Sequence, residues 1–178
     1  MLTSHLKDQS KFQNILFYTA LVAAFISMLL IIGRPLFLDR FFSRLLVTSF
    51  YFTTQSNVIV FMYLLFHLFK KNNTRAMEIF AFIAAVNITV TGFVFHLFLT
   101  SYMSQVGFMQ HMLHTVTPVL YLLFYMFSTP SDLKRLDFLY ALIHPILFFI
   151  LVYLFYAPLF GSLMNSIIID FESTYIYP

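Results

Sequence analysis

Five long apolar runs separated by short polar breaks set the pattern of this chain. They cover 14–32, 45–69, 77–100, 108–128 and 138–160. Each is near the roughly 20 residues that an α-helix needs to cross a bilayer. The first follows Lys7 and Lys11, as the apolar part of a signal peptide follows its basic end. It is long, however, and its small residues lie too early for cleavage, so an uncleaved first span is expected. Gly33-Arg34-Pro35 is expected to stop it, and Lys70-Lys71-Asn72-Asn73 and Thr129-Pro130-Ser131-Asp132 mark further breaks. Between the first two runs, the Phe-rich, Arg-punctuated segment 36–44 suits a short interfacial helix. The pattern predicts an all-α, polytopic transmembrane bundle, a single domain over 1–178. No internal repeat is visible, so the inverted-repeat plan of many transporters gains no support.

Composition narrows the class. The chain is 61% hydrophobic and 10% charged, which excludes an ordinary soluble domain. The net charge of +3 reads as topology bias, because the basic residues flank the runs. A nucleic-acid partner would need them gathered on a solvated face, and the pattern has none. Lys7, Lys11, Lys70, Lys71, Arg75, Lys134 and Arg135 fall on one side, and Arg34, Arg40 and Arg44 on the other. Seven against three places the N-terminus in the cytoplasm of a multi-pass cell-membrane protein. The tail 170–178, with two acids and no base, is compatible with the outer side. The absence of cysteine excludes disulfides, thiolate metal sites and a cysteine nucleophile. No carboxylate falls in the middle of a run, which argues against a proton pump.

Candidate chemistry lies in the polar residues inside the runs. His96, His111, His114 and His144 fall within or at the edge of apolar segments, where an ionisable ring costs several kcal/mol unless it faces a cavity or a partner. In the second run Thr53, Ser56, Asn57 and Val60 occupy i, i+3, i+4 and i+7, which is one helical face. In the fourth run His111, His114, Thr115 and Pro118 form a second such stripe, and in the third Thr89, Gly92 and His96 share a face. Helical rise puts Thr53 about 12 Å and His114 about 9 Å below the outer boundary, so the stripes reach similar depths. Pro118 lacks an N–H and is expected to free the His114 carbonyl.

Each residue also has a purely structural reading. Thr53 would bond the Ser49 carbonyl, Asn57 and Gln55 would be interhelical glue, and the His111/His114 pair would satisfy local polar groups. His67, near Lys70, reads as interfacial. Two chemistries compete with these. In one, Thr53 is a nucleophile activated by neutral His114, with Asn57 or Gln55 donating to an oxyanion. No acid is at hand to orient the imidazole, so this would be a dyad without a cofactor. In the other, His111 and His114 share a metal or haem with His96.

FTTQSN (52–57), ITVTGFVFHLFL (88–99), HMLHTVTPVLYLL (111–123) and the closing YIYP (175–178) resemble the androgen-induced and androgen-dependent-TFPI-regulating membrane protein family. The likeness is to its six-helix bacterial relatives over most of the chain. To the animal members it rests chiefly on Thr53 and the HxxHT segment. The resemblance implies a six-helix bundle whose intramembrane Thr and His hydrolyse fatty acid esters of hydroxy fatty acids. By position the nucleophile is Thr53 and the base His114, and a sixth span would begin about where this sequence stops. The leading expectation is thus a membrane-embedded hydrolase of lipid esters, with membrane lipids as its surroundings and substrate class. The alternatives are a non-catalytic membrane binding protein or small transporter, and a His-ligated metal or haem protein.

Overall fold

The computed structural model describes residues 2–36, 41–69, 74–103, 105–128, 133–152 and 154. These residues are helical almost throughout, and no strand occurs among them. In chain order the helices are α1 (Leu2–Leu36), α2 (Phe41–Ser49), α3 (Phe52–Phe69) and α4 (Arg75–Val94). A π turn over Phe95–Leu99 extends α4 into a short 3₁₀ turn, Thr100–Tyr102. α5 (Phe108–His111) leads through a second π turn, Met112–Val116, into α6 (Thr117–Ser128), and α7 (Arg135–Leu151) follows. Three stretches among the described residues are long and apolar enough to cross a membrane: Ser10–Gly33, Phe52–Phe69 and Arg75–Leu99.

Several boundaries depart from the pattern. α1 does not stop at Gly33-Arg34-Pro35 but runs to Leu36 with Pro35 inside it. The proline falls in the last turn, where its missing N–H removes one backbone bond and little helix remains to disturb. The run 45–69 is divided, because the backbone turns at Phe50 and Tyr51. Their N–H groups bond the Val47 and Thr48 carbonyls, three residues back, and a new helix begins with Gln55 N–H on the Tyr51 carbonyl. Hydroxyls compete for the last carbonyls of α2, Thr48 Oγ1 donating to Arg44 and Ser49 Oγ to Leu46. Of the short helix expected at 36–44, residues 37–40 lie outside the described residues, and 41–44 belong to α2, which continues to Ser49. The breaks at 70–73 and 129–132, the tail 170–178 and most of 138–160 beyond residue 152 lie outside the described residues.

Residues 1–142 form one compact unit. Its core brings Leu16, Ala20 and Ala24 of α1 against Val60, Tyr63 and Leu64 of α3, Ala81, Ala84 and Ile88 of α4, and Tyr121 and Phe124 of α6. Alanine at the contacts lets the helix backbones approach closely. Polar cross-links add direction. Tyr121 donates to the Ala81 carbonyl at 3.0 Å, and the buried Ser27 and Thr117 hydroxyls pair at 2.9 Å. His67 is half-buried, its ring centroid 5.2 Å from Phe17 and 5.5 Å from Phe124. At the start of α7, Asp137 accepts from the Lys134 N–H, half of a capping box, and pairs with Arg75. The second unit begins at Ile143 and includes His144. Its described part is the end of α7, where the Phe148 and Phe149 rings meet edge to face.

Candidate functional site

The two π turns carry both histidines of the site. A π turn adds a residue to the local hydrogen-bond ring, and such bulges concentrate where side chains must leave the regular helical register. In the second turn Thr117 N–H reaches back five residues to the Met112 carbonyl. The same spacing would pair Pro118 with Leu113, but proline has no N–H. Asn57 supplies the missing donor: its Nδ2 donates to the Leu113 carbonyl at 3.2 Å and to the Thr53 carbonyl at 2.8 Å. The carbonyl left open by Pro118 is thus that of Leu113, one residue earlier than α-helical spacing indicates. Gly92 of α4 lies against this bulge so closely that a Cβ there would stand 3.2 Å from the His114 carbonyl oxygen and 3.5 Å from Pro118 Cβ.

Thr53 and His114 meet across this arrangement. Thr53 Oγ1 lies 3.1 Å from His114 Nε2, and His114 Nδ1 lies 3.0 Å from the Gln110 carbonyl oxygen. A carbonyl only accepts, so Nδ1 carries the proton. In the neutral ring Nε2 is then a lone pair, and Thr53 donates to it. The Gln110 carbonyl thereby sets the tautomer that a general base needs, a role the residue pattern had assigned to no group. Thr53 does not bond Ser49. The turn at Phe50 and Tyr51 takes that carbonyl out of α3's register, and Gln55 Nε2 binds it at 3.1 Å. Thr89 and Thr100 do bond four residues back, to Ala85 and to His96.

A second pair lies alongside, with His96 Nε2 at 2.9 Å from Thr115 Oγ1. Phe95 sits between the two imidazoles. Its ring stacks on His114 with centroids 4.0 Å apart and planes 15° apart, and meets His96 edge-on at 5.2 Å. Thr115 belongs to the polar stripe of the fourth run, whereas Phe95 carries no polar signal; an aromatic one residue before a polar histidine is the only mark it leaves in the sequence.

The other expected members are placed differently. Ser56, Asn57 and Val60 are buried, as their stripe requires, but both Asn57 donor bonds go to backbone carbonyls, so its amide offers no hydrogen to an oxyanion. Gln55 Nε2 likewise faces Ser49 rather than the hydroxyl. His111 is exposed and makes no side-chain hydrogen bond among the described residues, because the π turn breaks the i, i+3 relation that put it beside His114. Thr53 stands in the first turn of α3 rather than about 12 Å along a helix by its rise, since the helix starts at Phe52. Among the described residues no three His, Asp or Glu side chains come together as metal ligands, which removes geometric support from the His96/His111/His114 metal set.

The hydroxyl–imidazole–carbonyl line has the parts of an activated nucleophile. Thr53 is half-buried, and Phe93, Leu97 and Phe98, which lie close to His96 in the sequence, are exposed. The first-turn N–H groups of α3, including those of Thr53 and Thr54, have no intrahelical acceptor and form the positive end of that helix. No protein-family model, no curated protein and no solved structure matches this chain.

Proposed function

We propose that this chain is an integral, multi-pass membrane protein that hydrolyses lipid esters with Thr53 as nucleophile and His114 as base. The spans would be α1, α3, α4 with its π turn, the continuous 108–128 segment and α7, with the N-terminus in the cytoplasm. The observation that carries the reading is the Thr53–His114 contact combined with the Gln110 carbonyl on the far ring nitrogen. A threonine hydroxyl is inert until a base takes its proton, and this arrangement aims the base's lone pair at it. The family resemblance through FTTQSN and HxxHT points to the same two residues and to fatty acid esters of hydroxy fatty acids as the substrate class.

In the proposed reaction Thr53 Oγ bonds the ester carbonyl carbon while its proton passes to His114 Nε2. The carbonyl oxygen becomes an oxyanion facing the positive first turn of α3. His114 then gives its proton to the departing alcohol oxygen as the C–O bond breaks, leaving Thr53 acylated. Water, deprotonated by His114, attacks the acyl carbon, and the acid leaves as Thr53 regains its proton. The exposed apolar side chains of Phe93, Leu97 and Phe98 fit entry of an acyl chain from the bilayer.

The test is hydrolysis of a fluorogenic long-chain ester by purified protein in lipid vesicles. Wild-type turnover that Thr53→Ala abolishes and Thr53→Ser retains supports the reading. A binding protein without chemistry shows no turnover and treats the two substitutions alike.

A further inference from the structure

Taking a proton from Thr53 makes His114 a cation in an apolar, helix-packed setting, where an unpaired charge is costly. In Ser–His–Asp sites a carboxylate offsets this. Among the described residues, the acidic side chains of Glu78 and Asp137 are engaged with Arg75 at the other end of α4, about 25 Å of helix from Gly92 by its rise. The group that touches the imidazole is instead the face of Phe95, 4.0 Å away and nearly parallel.

We propose that Phe95 is a positioning residue whose ring face stabilises the imidazolium formed on His114 during attack by Thr53, the role a carboxylate plays in Ser–His–Asp sites. The inference rests on the hydrolase reading. A benzene ring carries negative charge on its faces, and a cation within about 6 Å of its centroid is attracted, more strongly when both are removed from water. The neutral imidazole of the resting state gains little from that field, whereas the charged ring gains much. Such a difference between ground and transition states accelerates a reaction. Phe95 is built to stay in place: it is 1% exposed, opens the first π turn, and has Gly92 one helical turn before it pressed against His114 and Pro118. The Gln110 carbonyl, accepting from Nδ1, holds the ring in the same plane and adds a dipole of the right sign. Together they complete the base.

Fluorination tests the electrostatics at almost constant shape. Phenylalanine with one, two and three ring fluorines would be placed at position 95 by amber suppression. The saturating rate of Thr53 modification by a long-chain fluorophosphonate would be measured in each protein, where Oγ bonds phosphorus, fluoride leaves and the proton passes to His114. The expected result is a stepwise fall of the logarithm of that rate with each fluorine, reaching about tenfold, with the half-saturating probe concentration unchanged. Phe95→Leu, which keeps apolar volume but has no ring, is expected to be at least as slow as the trifluoro protein. A flat fluorine series with an intact Thr53 adduct overturns the inference and leaves the hydrolase reading standing. No Thr53 adduct in the unsubstituted protein overturns both.

Discussion

The two ends of α4 are built from different physics. Toward Arg75 the helix is regular, and Ala81, Ala84 and Ala85 pack it into a core of Tyr63, Leu64, Tyr121 and Phe124 with few polar atoms. Toward Phe95 the helix widens into a π turn, the facing segment does the same at Met112–Val116, and imidazoles, hydroxyls and carbonyls replace alanine contacts. Regular packing maximises contact but leaves backbone groups closed within each helix. The π turns give up part of that regularity, and the Gln110 and Leu113 carbonyls become partners for side chains. One end holds the helices together, and the other brings a hydroxyl against an imidazole.

Substitutions at the two ends should therefore separate stability from reactivity. The largest effect is expected at Thr53→Ala: fluorophosphonate labelling and ester turnover fall by at least about 1,000-fold, as when a nucleophile is removed, while thermal unfolding in detergent hardly moves. Leu64→Ala should do the reverse. It costs about 2–5 kcal/mol of stability from the buried core, read from the denaturation midpoint, with the labelling rate of the folded fraction unchanged. Asn57→Leu joins the two behaviours, because it strips the Leu113 carbonyl of its side-chain donor. About 1–3 kcal/mol of stability should be lost, the desolvation cost of an unpaired buried group, together with slower labelling.

Sequence pattern and structure agree and part at identifiable places. Hydrophobic runs located the helices because burial between helices is written in side-chain polarity. Similarly, the hydroxyl of Thr53 and the ring of His114 stood out as polar groups at matched depth, and the fold brings them to 3.1 Å. What the runs concealed was backbone behaviour. Residues 45–69 read as one continuous apolar segment, although hydroxyls at Thr48 and Ser49 and the turn at Phe50 divide it. Stripe arithmetic at 3.6 residues per turn placed His111 with His114, and a π turn, produced by Pro118 and by Asn57 from another helix, rotated them apart. The Gln110 carbonyl was invisible for the same reason, since every residue has one and only tertiary geometry selects it.

Two smaller effects sharpen the contrast. Gly92→Ala sets a helix-propensity gain of about 1 kcal/mol against crowding of the neighbouring backbone, so stability should shift by no more than about 1 kcal/mol. Its Cβ would crowd the His114 carbonyl at 3.2 Å, and labelling is expected to slow by about tenfold as the base is displaced. A loss of stability with normal labelling would show that the close approach serves packing alone. His111→Ala should change neither quantity by more than about twofold, as expected for an exposed side chain away from such features. A large effect there would return His111 to the site.

The most direct test locates the reactive atom. Folded protein in detergent is treated with a long-chain fluorophosphonate, digested and mapped by peptide mass spectrometry, in wild type and in His114→Ala. Expected is a single adduct on Thr53 in the wild type and its loss when His114 is removed. No adduct, or one on Thr53 that persists without His114, would contradict the claim that the imidazole activates this hydroxyl.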